Sequence, residues 1–226
     1  PDVPVIDNWL HEIGKIATDL RTVEGKQFVD SQVFLADARD LSNIPTASVD
    51  AVITSPPYPN EKDYTRTTRL ESVLLGFIKN KEELRELKRR LVRSNTRGVY
   101  KGDDDDKWIS DHPDILRIAE DIEKRRIELG KDSGFERLYG RVTKLYFGGM
   151  ARHFAELRRI LRPGAHLAYV VGDQASYLRV MIRTGQLLAE IAAALGYEVI
   201  DIDLFRTRLA TATKEQLREE VVLLRW

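Results

Sequence analysis

Cysteine is absent from this 226-residue chain. That excludes disulfides, thiol nucleophiles and cysteine-ligated zinc. Histidine is scarce. His11, His112, His153 and His166 are scattered, with no spacing that converges on a metal, so each reads as a surface or packing residue and no metal site is expected. No apolar run approaches the roughly 18 residues of a membrane span. No charged start leads into an apolar stretch, so no signal peptide is visible. The chain begins at Pro1 rather than Met, so its natural start is expected upstream. Net charge is lacking too, since 36 Lys+Arg balance 36 Asp+Glu. A zero sum does not advertise a polyanionic partner, but local patches matter more than sums. There is no internal repeat and no low-complexity tract.

What is present is a globular composition, 42% hydrophobic and 32% charged. Apolar residues Ile6, Leu10, Ile13, Ile16 and Leu20 recur at spacings of three and four, which predicts an amphipathic helix over 6–21. "QVFLADARDL" (32–41) reads as a short buried strand followed by an acidic turn. "DAVITSPPY" holds a second strand, Ala51 to Thr54, apolar on both sides as in a covered parallel sheet. Residues 66–97 read as helix. A polar loop follows, then a helix over 113–130 with Pro113 near its start and Gly130 at its end. Tyr146, Met150, Phe154, Leu157 and Leu161 mark a helix over about 142–161. "AHLAYVVGD" is a buried strand, "TGQLLAEIAAALG" a helix stopped by Gly196, and "YEVIDIDLF" and "EEVVLLRW" two closing strands. Helices alternating with strands predict a doubly wound α/β sheet, in which ligands sit beyond the carboxyl ends of the strands. "ADARD" and "SPPY" both fall at such ends.

Ser55-Pro56-Pro57-Tyr58 makes a stiff corner, because each proline fixes φ and removes a backbone donor. A hydroxyl, a preorganised carbonyl and an aromatic ring then face one small space. That set suits an exocyclic base amine, whose lone pair is conjugated with its ring. Acceptors on the amine's two N–H groups favour a tetrahedral, nucleophilic nitrogen, and a ring offers a flipped base a stacking face.

On these residues the chain resembles the amino-methylating DNA methyltransferases, whose catalytic motif is [Asp/Asn/Ser]-Pro-Pro-[Tyr/Phe]. The similarity spans residues 30–78 and 142–226, through "FLADARDL", "RRILRPGAHLAYVVGD" and the last helix and strands. It implies a partial Rossmann-like methyltransferase sheet with a helical insertion. The core would comprise residues 1–79 and 141–226, and the insertion, a candidate target-recognition element, residues 80–140. The implied cofactor is S-adenosylmethionine and the implied partner DNA. The implied setting is the prokaryotic cytoplasm, at the nucleoid, in a restriction-modification system. The Ser form looks most like the cytosine-N4 branch, with adenine N6 the alternative. Ser55 and the Pro56 carbonyl would hold the amine, Pro57 the corner, and Tyr58 would stack the base. Asp37 and Ala38 would border the adenine of the methyl donor, with Ser55 beside the donor as well. Asn60, Tyr64, Arg66 and Arg69 are placed to reach a substrate strand.

The resemblance also has a gap. The family's glycine-rich loop is missing, as no Gly-x-Gly occurs anywhere. The nearest stretch, "FGGM" at 147–150, opens a helix and reads as packing. A missing N-terminal segment or a second chain would complete the cofactor site. A degenerate homologue, or a non-catalytic partner subunit, is the alternative. "DDDDK" at 103–107 reads as a solvated loop, because adjacent carboxylates repel one another and would repel DNA. The basic clusters at 88–97, 124–126 and 158–162 read as solvated helix faces.

Overall fold

The computed structural model describes residues 4–26, 29–59, 63–210 and 214–226. The chain divides into two units, residues 1–35 and 36–226. The first holds helix α1 (Val5–Thr22), which carries the expected apolar stripe, and residues 29–35 form no helix or strand. The short buried strand expected within 32–41 is not found. Val33 and Leu35 are exposed, and no strand among the described residues pairs with them. A β-prone run without a ladder partner has nothing to hold it extended.

The second unit is built on a four-stranded sheet in the order β1-β2-β4-β3. Its strands are β1 (Val49–Thr54), β2 (Leu161–Gly172), β3 (Glu198–Leu209) and β4 (Gln216–Arg225). β1 pairs parallel to β2, whereas β4 is antiparallel to both β2 and β3. β1, β2 and β3 therefore run the same way, and their carboxyl ends share one edge of the sheet. The sheet is mixed rather than wholly parallel. β1 is also less covered than expected, with Ile53 85% exposed.

Between β1 and β2 lie α2 (Tyr64–Thr67), α3 (Arg69–Leu74), α4 (Lys81–Arg89), α5 (Pro113–Glu128) and α6 (Tyr139–Ile160), and α7 (Thr184–Ala194) precedes β3. The single helix expected over 66–97 is thus broken. Gly76 turns the chain at φ +75°, and Asn80 then caps α4 by accepting from the Glu83 amide at 2.8 Å. The helices at 113–130 and 142–161 and both closing strands form as the patterns predict.

The core lies between the sheet and α5–α7. Tyr146, Phe147, Met150, Phe154 and Leu157 of α6 meet Leu167, Tyr169 and Val171 of β2 and Val222 and Leu224 of β4. Period-2 alternation along β2 selects these inward residues, with His166 and Val170 on the other face. "FGGM" does pack. It lies in mid-α6, where a Cβ on Gly148 would sit 2.0 Å from the Asp105 carbonyl oxygen. Backbone therefore crosses the helix at contact distance.

That crossing overturns the reading of "DDDDK" as a solvated loop. Asp104 is exposed beside Lys107, but Asp105 is only 4% exposed and Asp103 is engaged. Arg93, itself buried, donates to both oxygens of Asp103 at 2.8 and 2.9 Å. Asp105 receives Arg39 at 2.5 Å and Arg152 at 3.5 Å. Four adjacent carboxylates are tolerated because arginines from elsewhere in the fold neutralise two of them.

Candidate functional site

The corner Ser55–Tyr58 leaves β1 at the carboxyl edge of the sheet. The Ser55 hydroxyl is exposed and donates to the Val170 carbonyl of β2 at 3.2 Å. A serine hydroxyl has one proton and two lone pairs. With the proton committed to Val170, the lone pairs are left as acceptors. Pro56 and Pro57 are half-buried, and Pro57 lines a cavity described below. The half-buried ring of Tyr58 packs on the core and stands against Gly172, the last residue of β2. A Cβ at position 172 would lie 2.9 Å from Tyr58 Cε2, so glycine is what lets the ring seat there.

A cavity of about 220 Å³ opens beside this corner. Its walls include Ala36, Ala38, Pro57, Tyr64, Val92 and Asn95. The structure thus brings together residues singled out separately in the sequence, Ala38 with Pro57 and Tyr64. Sites that enclose a whole drug-sized ligand span about 300–1,000 Å³, so this one is smaller than such sites. Asp63 and Lys88 close it with an ion pair of 2.6 Å, both side chains largely buried. Lys88 pulls the Asp63 carboxyl below its usual range against the opposing cost of burial, and Thr65 adds a hydrogen bond at 2.6 Å.

Asp37 does not line the cavity. Its carboxylate accepts from the Arg39 backbone amide and Nε, both at 2.9 Å, and from Nη2 at 2.7 Å. Half-burial acts to raise its pKa, but Arg39 wins and the net shift is downward. Arg39 is 6% exposed and also binds Asp105 and the Arg89 carbonyl, so it fastens the 37–39 turn to the 103–106 stretch. A second tie comes from α6. His153 Nδ1 donates to the Ala38 carbonyl at 2.7 Å, which leaves Nε2 to accept from the Tyr169 hydroxyl at 2.7 Å. Burial depresses the His153 pKa below its ordinary 6.5, so the ring is neutral.

The remaining residues expected to reach a substrate are dispersed. Tyr64 is 50% exposed at the start of α2, on the cavity wall. Arg66 is exposed, whereas Arg69 is half-buried and donates Nε to the Thr65 carbonyl at 2.9 Å, one turn back. Asn60 lies outside the described residues.

Sequence reasoning missed a polar cluster at the same edge. Asp173, directly after β2, has a fully buried carboxylate that meets Arg183 at 2.5 Å and the Arg218 amide at 3.2 Å. Glu220 is 2% exposed, and burial raises its carboxyl pKa, with Asp173 adding to the shift and Arg218 opposing it. Glu219 accepts from Arg206 at 2.5 Å and lies 3.7 Å from Arg208. The signal lay in "VVGD" and "REE", whose three acidic positions interrupt otherwise apolar strand patterns.

Two comparisons bear on what this arrangement belongs to. The chain is similar in sequence to type II methyltransferases. One is M.AvaI of Nostoc sp. (strain PCC 7120), 30% identical over 156 residues, covering 66% of this chain and 31% of that protein. Another is M.BsoBI of Geobacillus stearothermophilus, 27% identical over 246 aligned positions, covering 99% of this chain and 47% of that protein. The chain thus spans less than half the length of these curated relatives. No protein-family model matches it. Among solved structures, a DNA modification methylase from Thermus thermophilus, TTHA0409, in complex with S-adenosyl-L-methionine aligns over 84% of this chain and 53% of that one. The two share 17% identity at a TM-score of 0.41, a distant likeness only.

Proposed function

We propose that this chain is the catalytic portion of a DNA methyltransferase that uses S-adenosylmethionine and methylates an exocyclic amino group, that of cytosine N4. The observation that carries the reading is the Ser55 hydroxyl, exposed on a double-proline corner with its proton held by the Val170 carbonyl. Its lone pairs accept one amine N–H, and the Pro56 carbonyl accepts the other. Together they draw the nitrogen lone pair out of conjugation with the base, in a geometry set before substrate arrives. Tyr58, fixed against Gly172, presents ring surface to the extruded base. The similarity to type II methyltransferases supports the same reading.

S-adenosylmethionine, when bound, supplies the electrophilic methyl group. The cavity bordered by Ala36, Ala38 and Pro57 suits its adenine ring in size and apolar lining. Nothing in the sequence provides a Gly-x-Gly cradle for the methionine end. We propose that a segment outside these residues, in a longer polypeptide or in a second chain, supplies that wall.

The test is transfer of labelled methyl to DNA by this chain, by the longest reading frame that contains it, and by the chain with its neighbouring gene product. Digestion to nucleosides then identifies the modified base. We expect N4-methylcytosine, and expect Ser55→Ala to slow transfer about 100-fold, as losing one preorganised hydrogen-bonding group does. N6-methyladenine would overturn the base assignment. An unchanged rate in both Ser55→Ala and Tyr58→Ala would overturn the catalytic corner. The absence of a glycine cradle favours a second reading, a non-catalytic partner subunit, which binding of DNA without transfer in any of the three forms would support.

A further inference from the structure

The β3–β4 ribbon is longer than the sheet it belongs to. β2 ends at Gly172, opposite Glu219, but β3 and β4 continue to pair through Thr207↔Arg218, Arg208↔Leu217 and Leu209↔Gln216. The ribbon therefore runs past the end of β2 at the carboxyl edge from which the Ser55–Tyr58 corner emerges, with Ala210 and Leu217 packed on Ala175. Its register shifts between Leu204 and Arg206, placing Phe205 at a β-bulge. Bulges twist a ribbon and re-aim its side chains, and they recur beside active sites.

Phe205 and Arg206, level with the end of β2, and Arg208 and Leu209, beyond it, are all exposed. Phe205 is 65% and Leu209 58% exposed. Arg206 and Arg208 expose 65% and 51% of their side chains. Both arginines meet the carboxylate of Glu219, Arg206 at 2.5 Å and Arg208 at 3.7 Å. The Arg206 guanidinium lies 5.9 Å over the Phe205 ring and within electrostatic reach of Tyr58. The bulk charge of the chain is zero, but this end of the ribbon sets two exposed arginines and an open aromatic ring next to the corner.

We propose that the projecting β3–β4 ribbon is a DNA-contacting arm, in which Arg206 and Arg208 engage backbone phosphates beside the target nucleotide and Phe205 stacks on an adjacent base. This rests on the methyltransferase reading and deepens it. A two-stranded ribbon is narrow enough to follow a groove. Exposed arginines on it position the strand, and an exposed ring is a base-stacking platform that tolerates any sequence.

The experiment is fluorescence anisotropy of a labelled mixed-sequence duplex with the chain, titrated over a range of salt. Each of Arg206→Ala and Arg208→Ala is expected to weaken binding and to flatten the log–log salt dependence by about 0.9. Phe205→Ala is expected to weaken binding without changing that slope. The control is Arg225→Ala, at the opposite end of β4, where the arginine is paired with Glu198 at 2.6 Å. It should leave both affinity and slope unchanged. Thermal melts of each variant report whether it is folded. If DNA binds and both arginine variants keep the wild-type slope, the arm is overturned and the methyltransferase reading stands. If the slope falls equally in Arg225→Ala, the contact is diffuse surface charge and the arm is overturned. If the wild-type chain binds no DNA under any condition, the arm falls together with the reading on which it rests.

Discussion

Gly148 occupies a mid-helix position where alanine is normally the better residue by about 1 kcal/mol. Here the sign reverses, because the added methyl would meet the Asp105 carbonyl at 2.0 Å and backbone cannot swing aside as a side chain can. Gly148→Ala is expected to destabilise the fold by roughly 1–3 kcal/mol, the range of an overpacked core, as read by urea denaturation. His153 makes a different prediction. Its pKa is depressed in the fold, so on acidification the unfolded chain takes up the proton first. Its contribution to stability is complete above the ordinary imidazole pKa and is lost as pH falls from there toward the depressed value. The melting temperature should fall between about pH 7 and pH 5. His153→Asn, which keeps a donor for the Ala38 carbonyl but cannot titrate, should flatten that slope. Neither role is legible from the residue alone. "FGGM" reads as packing in the sequence, but only the crossing backbone of Asp105 identifies which glycine is indispensable.

At the scale of elements, the long periodic helices were legible because their apolar spacing coincides with the face they bury. Those at 113–130 and 142–161 form with their punctuation in place, Pro113 at the first turn and Gly130 after the last. Short elements were less legible. "QVFLAD" has the composition of a strand but no partner among the described residues, and 66–97 has helix-forming composition broken at Gly76. "DDDDK" was misread for a third reason, because the arginines that neutralise Asp105 lie far away in sequence, at 39 and 152, and Arg93 reaches Asp103 across a turn of the loop. Arg39 is the tie between three such segments. Arg39→Leu removes the partner of Asp37 and leaves buried Asp105 with Arg152 at 3.5 Å, and should destabilise the protein by about 3–5 kcal/mol. Arg39→Lys should recover only part of this, since an ammonium cannot span Asp37 and Asp105 in one plane. Chemical denaturation of the pair checks both.

In the sheet, the common direction of β1, β2 and β3 gathers the Ser55–Tyr58 corner and Asp173 at one edge. The rule that α/β ligands sit at carboxyl strand ends was enough to place Ser55–Tyr58 there from sequence. The overrun of the β3–β4 ribbon was not readable, because it depends on where β2 stops pairing. The same packing has a practical consequence for the segment 103–107. Asp-Asp-Asp-Asp-Lys is a sequence that a site-specific protease can cut, and proteases need their substrate extended and free. Here Asp105 and Lys107 belong to a 3-10 turn lying across α6, and Asp105 is buried. The folded chain should resist cleavage after Lys107, and the rate of cutting in rising urea should follow the population of molecules in which this turn has lifted away. The protein therefore carries its own internal gauge of opening, at a bond that needs no label and no substitution.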